Sequence, residues 1–134
     1  MNFVIIWTDT QCKWMVGAYG QPVVDTPNLD RLAAEGVRFE RAYTACPICT
    51  PARGALFTGL HPQSNGAWAN DMAPYHHVPM MGSIFRERGY RAAHTGKWHL
   101  DGASYSGTGV PDGGFEPDWW YDQTNCLTEL PDDI

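Results

Sequence analysis

Cys49-Thr50-Pro51-Ala52-Arg53-Gly54 stands near the middle of the chain, and the helix it opens decides the fold class. Pro51 suits the first turn of a helix, where its missing N–H costs nothing. Ala52 to Phe57 continues as a helix-compatible run, and Gly59 offers a stop. The reading predicts a helix with residue 49 close to its N-terminus, where backbone N–H groups and a partial positive charge favour an anion. On the N-terminal side, Val37-Arg38-Phe39-Glu40-Arg41 alternates apolar and charged residues, as a half-buried strand does. Before it, Thr26-Pro27 reads as an N-cap followed by proline at the first helical position. Leu29, Leu32 and Ala33 keep helical spacing, and Gly36 closes that helix. Gly17 to Gly20, with Pro22, marks a loop. Phe3-Val4-Ile5-Ile6-Trp7 is a continuous apolar run rich in β-branched residues, the pattern of a strand covered on both faces. Asp9 falls just past its carboxyl end.

On the C-terminal side, Ser64 to Pro79 reads as a loop, and Met80 to Arg88 as a helix ending at Gly89. Tyr90-Arg91-Ala92-Ala93-His94 reads as a strand that delivers Lys97 and His99 at its carboxyl end, the edge expected for Asp9. Ligands gather at that edge in open α/β sheets. A lysine and a histidine two apart on extended backbone point the same way. Gly102 to Pro117 has no clear period, and Trp119-Trp120-Tyr121 is an aromatic cluster. The order strand, helix, strand, helix, helix, strand implies an α/β fold.

Composition narrows the function. The 134 residues suffice for one ordinary domain, and 43 % hydrophobic content allows a real core. The net charge of −6, with acids and bases scattered, gives no basic footprint for nucleic acid and no polybasic membrane patch. The first apolar run stops after five residues at Thr8-Asp9. A signal peptide needs roughly 7–15 apolar residues and a membrane span about 20, so a cytoplasmic protein is expected. The four cysteines, Cys12, Cys46, Cys49 and Cys126, make no evident disulfide framework.

The Cys-x-Pro-x-Arg pattern at Cys49, Pro51 and Arg53 resembles the signature of the type I sulfatases. Trp7-Thr8-Asp9-Thr10-Gln11 upstream and Gly96-Lys97-Trp98-His99-Leu100 downstream are similar to two further segments of that family, in the same order. The resemblance runs from about Phe3 to the end of the chain. It implies an alkaline phosphatase-like fold, a sandwich of helices around a mixed, mostly parallel sheet. It also implies that residues 1–134 are the N-terminal part of a catalytic domain, an incomplete fragment with little or no turnover. The implied activity is sulfuric ester hydrolysis on a sulfated small molecule or sugar.

In such a family Cys49 would be oxidised to formylglycine by a formylglycine-generating enzyme. The chemistry needs this, because a thiol would give an S-sulfonated product that is hard to release. An aldehyde hydrate attacks through one hydroxyl and expels sulfate through the other, which splits a hard step into two easier ones. The resemblance gives Arg53 the role of orienting residue 49. It gives Lys97 a sulfate oxygen to hold, and His99 a hydrogen bond to the hydrate or a proton-transfer role. Asp9 becomes a metal ligand, with Thr10 and residue 49 as further oxygen donors. Ca²⁺ is the expected ion, with Mg²⁺ or Mn²⁺ as alternatives, since hard cations take oxygen ligands. Many members carry a second acid where this chain has Thr10.

Other readings stay open at this stage. Some phosphonate monoester and phosphodiester hydrolases of the same superfamily share the signature. Cys46-Pro47-Ile48-Cys49 is also a C-x-x-C, which a thiol-redox protein would use at a helix start. That reading leaves Arg53 and the Lys97–His99 segment without a role. Trp68 and Trp119 to Tyr121 fit sugar stacking and core packing equally well.

Overall fold

The computed structural model describes residues 1–20, 23–102 and 105–130. Pro22, Ser104 and the tail from Pro131 to Ile134 lie outside the described residues. The chain divides into two compact units, Met1–Tyr43 and Thr44–Ile134.

The first unit is built on helix α1 (Pro27–Glu35) and two single 3-10 turns, Lys13–Met15 and Gly17–Tyr19. Thr26 precedes α1 as expected, but its hydroxyl does not cap the helix. It accepts the Gly17 N–H at 2.8 Å and donates to Asp30 Oδ1 at 3.1 Å, and the same carboxylate accepts the Ala18 N–H at 2.6 Å. The first turn of α1 is thereby tied to the Gly17–Tyr19 turn. Gly36 ends α1 with its N–H on the Leu32 carbonyl at 2.9 Å, at φ −119° and so outside the left-handed region.

Two expected strands do not form in this unit. Phe3 to Trp7 has no strand geometry, and Val4 and Ile6 are each 83 % exposed. Val37 to Arg41 is also irregular. Arg38 binds the Ala18 carbonyl and the Glu40 carboxylate, and the Tyr19 hydroxyl donates to the Phe39 carbonyl at 2.9 Å. Apolar, β-branched sequence suits a pleated surface but does not supply a partner. Among the described residues the only strand pairing lies in the second unit.

That pairing joins β1 (His94–Gly96) to β2 (Trp120–Asp122) in parallel, with His94 opposite Trp120 and Gly96 opposite Asp122. The expected strand at residues 90–94 is displaced toward the C-terminus because its backbone is committed elsewhere. The Tyr90 N–H donates to the Phe85 carbonyl, and the Ala92 carbonyl accepts the Glu116 N–H. Helices α2 (Cys49–Thr58), α3 (Pro62–Asn65), α4 (Met81–Glu87) and α5 (Gln123–Glu129) surround this small parallel sheet, which gives an α/β arrangement.

Helix α2 begins at Cys49, earlier than Ala52, and ends at Gly59, whose φ of 71° suits a residue without a Cβ. Gly54 brings its backbone against the next segment, since a Cβ there would lie 2.9 Å from Ala67 Cβ. Asn65, fully buried, completes this junction. Its amide donates to Thr58 Oγ1 at 3.2 Å and the Leu60 carbonyl at 3.1 Å, and accepts the Ala67 N–H at 2.8 Å. The core is Phe57, Met80, Ala92, Trp98, Leu100, Phe115 and Trp120. Helix α5 starts in a capping box, Asp122 accepting from Asn125 N–H and Asn125 accepting from Asp122 N–H, both at 3.0 Å. Among the described residues no helix is long and apolar enough to cross a membrane.

Candidate active site

The start of α2 carries the signature residues. Cys49 is its first residue and is half-buried, whereas Thr50, Pro51, Arg53 and Gly54 are buried. The helix is bound at two points to the segment that follows β1. Arg53, 7 % exposed, donates from Nη1 to the Lys97 carbonyl at 2.5 Å. Thr50 Oγ1 donates to the His99 carbonyl at 3.2 Å. A third bond runs from the Thr50 N–H to Asn70 Oδ1 at 3.1 Å, which anchors the loop before α4 to the same helix end.

Lys97 and His99 do not share a face through strand alternation, because β1 stops at Gly96 and His99 has φ 56°. They meet through Tyr105 instead. Lys97 Nζ lies 3.3 Å from the centre of that ring, and the His99 ring centre lies 5.0 Å from it. Trp98, between them, points into the core with no exposed surface. The His99 side chain is 3 % exposed, its Nε2 is 3.0 Å from Asp71 Oδ1, and its Nδ1 is buried without a hydrogen-bond partner among the described residues. Leaving such an atom unpaired costs about 1–3 kcal/mol. Asp71 also takes the left-handed conformation, at φ 62°. That conformation costs an L-residue roughly 1–2 kcal/mol, so both partners of the pair are held there by their surroundings.

Thus Cys49, Arg53, Lys97 and His99 all belong to the second unit, and hydrogen bonds link Arg53 to Lys97 and the first turn of α2 to His99. Thr50, Asn70, Asp71 and Tyr105 join them without having been singled out. The sequence carries no local signal for the last three; Asn70 and Asp71 come from a loop closed over 20 residues or more, as in the Thr50–Asn70 and Asp71–His99 bonds.

Asp9 and Thr10 belong to the first unit, where Thr10 has φ 64°. Among the described residues no group of three or more His, Cys, Asp or Glu side chains is placed to hold a metal ion. All four cysteines are free thiols.

His94 packs among the rings of Phe57, Trp98, Phe115 and Trp120 at centroid distances of 5.9, 5.1, 5.4 and 4.8 Å. Burial pushes its pKa down. The hydrogen bond from Nε2 to the Gly96 carbonyl pushes up, the nearby Arg53 charge pushes down, and Asp122 pushes up. The neutral ring is therefore favoured in the folded state. Its contribution to stability is complete above the ordinary imidazole value of about 6.5 and is lost as the pH falls through the lower folded value. Thermal melts of the wild type should show Tm falling on acidification below that value, and His94→Phe should flatten this slope. Equal slopes in the two proteins would remove His94 as the cause. Trp120 has joined the same core, while Trp68, Trp119 and Tyr121 remain exposed.

The Sulfatase family model matches residues 1–133. An uncharacterized sulfatase of Escherichia coli K12, YidJ, is 47 % identical over 129 residues, covering 96 % of this chain and 26 % of its own length. A Delta 4,5-hexuronate-2-O-sulfatase of Bacteroides thetaiotaomicron is 41 % identical over 103 residues, covering 73 % of this chain and 21 % of its own. A crystal structure assigned as the sulfatase yidJ of Bacteroides fragilis superposes with a TM-score of 0.61 at 31 % identity, over 71 % of this chain and 23 % of that one. The chain thus spans about a quarter of the length of these relatives. With the signature helix, the Lys97–His99 segment and nearly every residue inside one family match, this chain belongs to the sulfatase family.

Proposed function

We propose that this chain carries the nucleophile-bearing part of a sulfuric ester hydrolase, with residue 49 oxidised from cysteine to formylglycine. The observation that carries this reading is the double tie from α2 to the Lys97–His99 segment, at 2.5 Å from Arg53 and 3.2 Å from Thr50. It ties the helix N-terminus and the Arg53 guanidinium to the backbone that carries Lys97 and His99, and these groups together make a set suited to a tetrahedral anion.

In the proposed reaction the aldehyde of residue 49 is hydrated. One hydroxyl oxygen bonds to sulfur as the ester S–O bond breaks, and the alcohol leaves with a proton. The second hydroxyl then loses its proton, its electron pair closes the C=O bond, and the C–O bond to sulfate breaks. Lys97 binds a sulfate oxygen, Arg53 orients residue 49, and His99 moves the proton. Asp9 and Thr10 are this chain's proposed oxygen donors to Ca²⁺, or to Mg²⁺ or Mn²⁺, and the bound ion would polarise the sulfate. Ca²⁺ takes roughly six to eight oxygens. These donors fall short of that, so no step above passes through the metal, and turnover by the chain alone is expected to be small.

A sulfated sugar is the favoured substrate class, in keeping with the hexuronate sulfatase among the relatives. A cleft of about 490 Å³, lined in part by Tyr75, His76, Asp101 and Asp112, adjoins the segment after His99 and could accept a sugar ring. The second reading, phosphonate monoester or phosphodiester hydrolysis, is favoured by Thr10 standing where a second acid is common. Paired assays on sulfate and phosphonate esters separate the two.

The deciding experiment is peptide mass analysis of the protein made together with a formylglycine-generating enzyme. Conversion should lower the mass of residue 49 by about 18 Da, a change set by the oxidation chemistry, and should make that residue reactive toward a hydrazide. An unmodified thiol, in a host that converts a control motif, would overturn the proposal.

A further inference from the structure

Asp71 lies outside the signature motifs, and the geometry of its pair with His99 bears on which ring nitrogen can act. Asp71 Oδ1 is 3.0 Å from His99 Nε2. A carboxylate only accepts, so the proton of the neutral ring belongs on Nε2. The other nitrogen, Nδ1, is buried and makes no hydrogen bond among the described residues. Each of the remaining contacts of His99 fixes the backbone or one ring face. Thr50 Oγ1 holds its carbonyl at 3.2 Å, and the Tyr105 ring lies 5.0 Å away at an interplanar angle of 53°. Neither distinguishes one ring nitrogen from the other. Asp71 does, and the bond from Thr50 N–H to Asn70, one residue earlier, keeps it in reach.

We infer that Asp71 is a positioning residue: it holds His99 in the tautomer protonated on Nε2 and leaves Nδ1 as the atom that exchanges a proton at the reacting group. The inference rests on the proton-transfer role given to His99 under the proposed function. The Asp71 side chain is 67 % exposed, so the contact adds little to stability, as is usual for exposed pairs. What it contributes is the tautomer, which is commonly set by the bond that the other ring nitrogen makes.

The test uses the 134-residue chain with ¹⁵N-labelled histidine, above the imidazole titration range. The His99 signals are assigned by their absence from His99→Gln or, if that variant does not fold, by their contacts to the Tyr105 ring protons. The expected wild-type spectrum has a downfield proton directly bonded to Nε2 of His99 and an Nδ1 shift typical of an unprotonated nitrogen. In Asp71→Ala the Nε2 proton should be lost to exchange with water while the fold is retained. Asp71→Asn, whose carbonyl can still accept, should recover much of the signal. A proton on Nδ1 in the wild type, or an Nε2 proton unchanged in Asp71→Ala, overturns the inference. Hydrazide capture at residue 49 is read separately. Capture with the proton on Nδ1 rejects the role of Asp71 alone, whereas a persistent thiol with the proton on Nε2 rejects the ester-hydrolase reading and leaves the ring placement standing.

Discussion

Trp98→Ala is expected to lower the unfolding free energy by about 3–5 kcal/mol, the range for removing a large buried aromatic. Trp98 has no exposed surface. Its ring lies edge-on to Phe57, Phe115 and Trp120, at centroid distances of 4.9, 6.0 and 5.1 Å, and its Nε1–H donates to Asp112 at 3.2 Å. Domains are commonly stable by only about 5–15 kcal/mol, so this one change takes a large share. Urea unfolding followed by near-ultraviolet circular dichroism measures it. With a slope of about 1–3 kcal/mol per molar urea, the midpoint should fall by more than about 1 M. Trp98→Phe keeps a ring in the cluster and should cost clearly less. A loss below about 1 kcal/mol for the alanine variant would contradict the packing role, because such a value is typical of surface changes. The residue also separates Lys97 from His99, so the same variant should disorder the site.

Under the proposed ester-hydrolase reading, Arg53→Met is expected to reduce single-turnover cleavage of a sulfate ester by about 10²–10³-fold, the usual effect of removing one preorganised donor from a charged site. Methionine retains much of the apolar stem and removes the guanidinium. The Lys97 carbonyl then loses the donor now 2.5 Å away, at a stability cost of about 1–3 kcal/mol. Arg53→Lys keeps the charge but not the planar fork, and should recover only part of the rate. Single-turnover release of product, divided by the amount of hydrazide-reactive aldehyde, is the measurement to make. That ratio separates a defect in maturation from one in chemistry. An unchanged rate per aldehyde would place Arg53 outside the site.

The elements legible in the sequence are those with local punctuation. Thr26-Pro27 and Gly36 bracket α1, and Gly59 closes α2. The signature residues could be read as a group because their chemistry is local and their order along the chain is informative. Strands were harder, because a strand is defined by a partner. Trp120–Asp122 pairs with His94–Gly96, 26 residues back in the register, and nothing in Trp119-Trp120-Tyr121 announces that. The start of α5 uses Asp122 and Asn125, an asparagine where a capping box more often has Glu or Gln. Phe3 to Trp7 has strand composition and no strand. Asp71 was illegible for a related reason, since its contact with His99 spans 28 residues and depends on how a loop closes.

The burial of the signature sets an order in time. Thr50, Pro51, Arg53 and Gly54 are inside the folded unit, and Cys49 and Ala52 are only partly accessible. If residue 49 is oxidised as proposed, a maturation enzyme that reads the neighbouring side chains would have to meet this stretch while α2 is still open. Folding and oxidation would then compete, because closure of the helix hides the side chains beside the thiol. The yield of aldehyde would then track the speed of folding during synthesis, and a slower-folding variant could emerge more completely modified than the wild type.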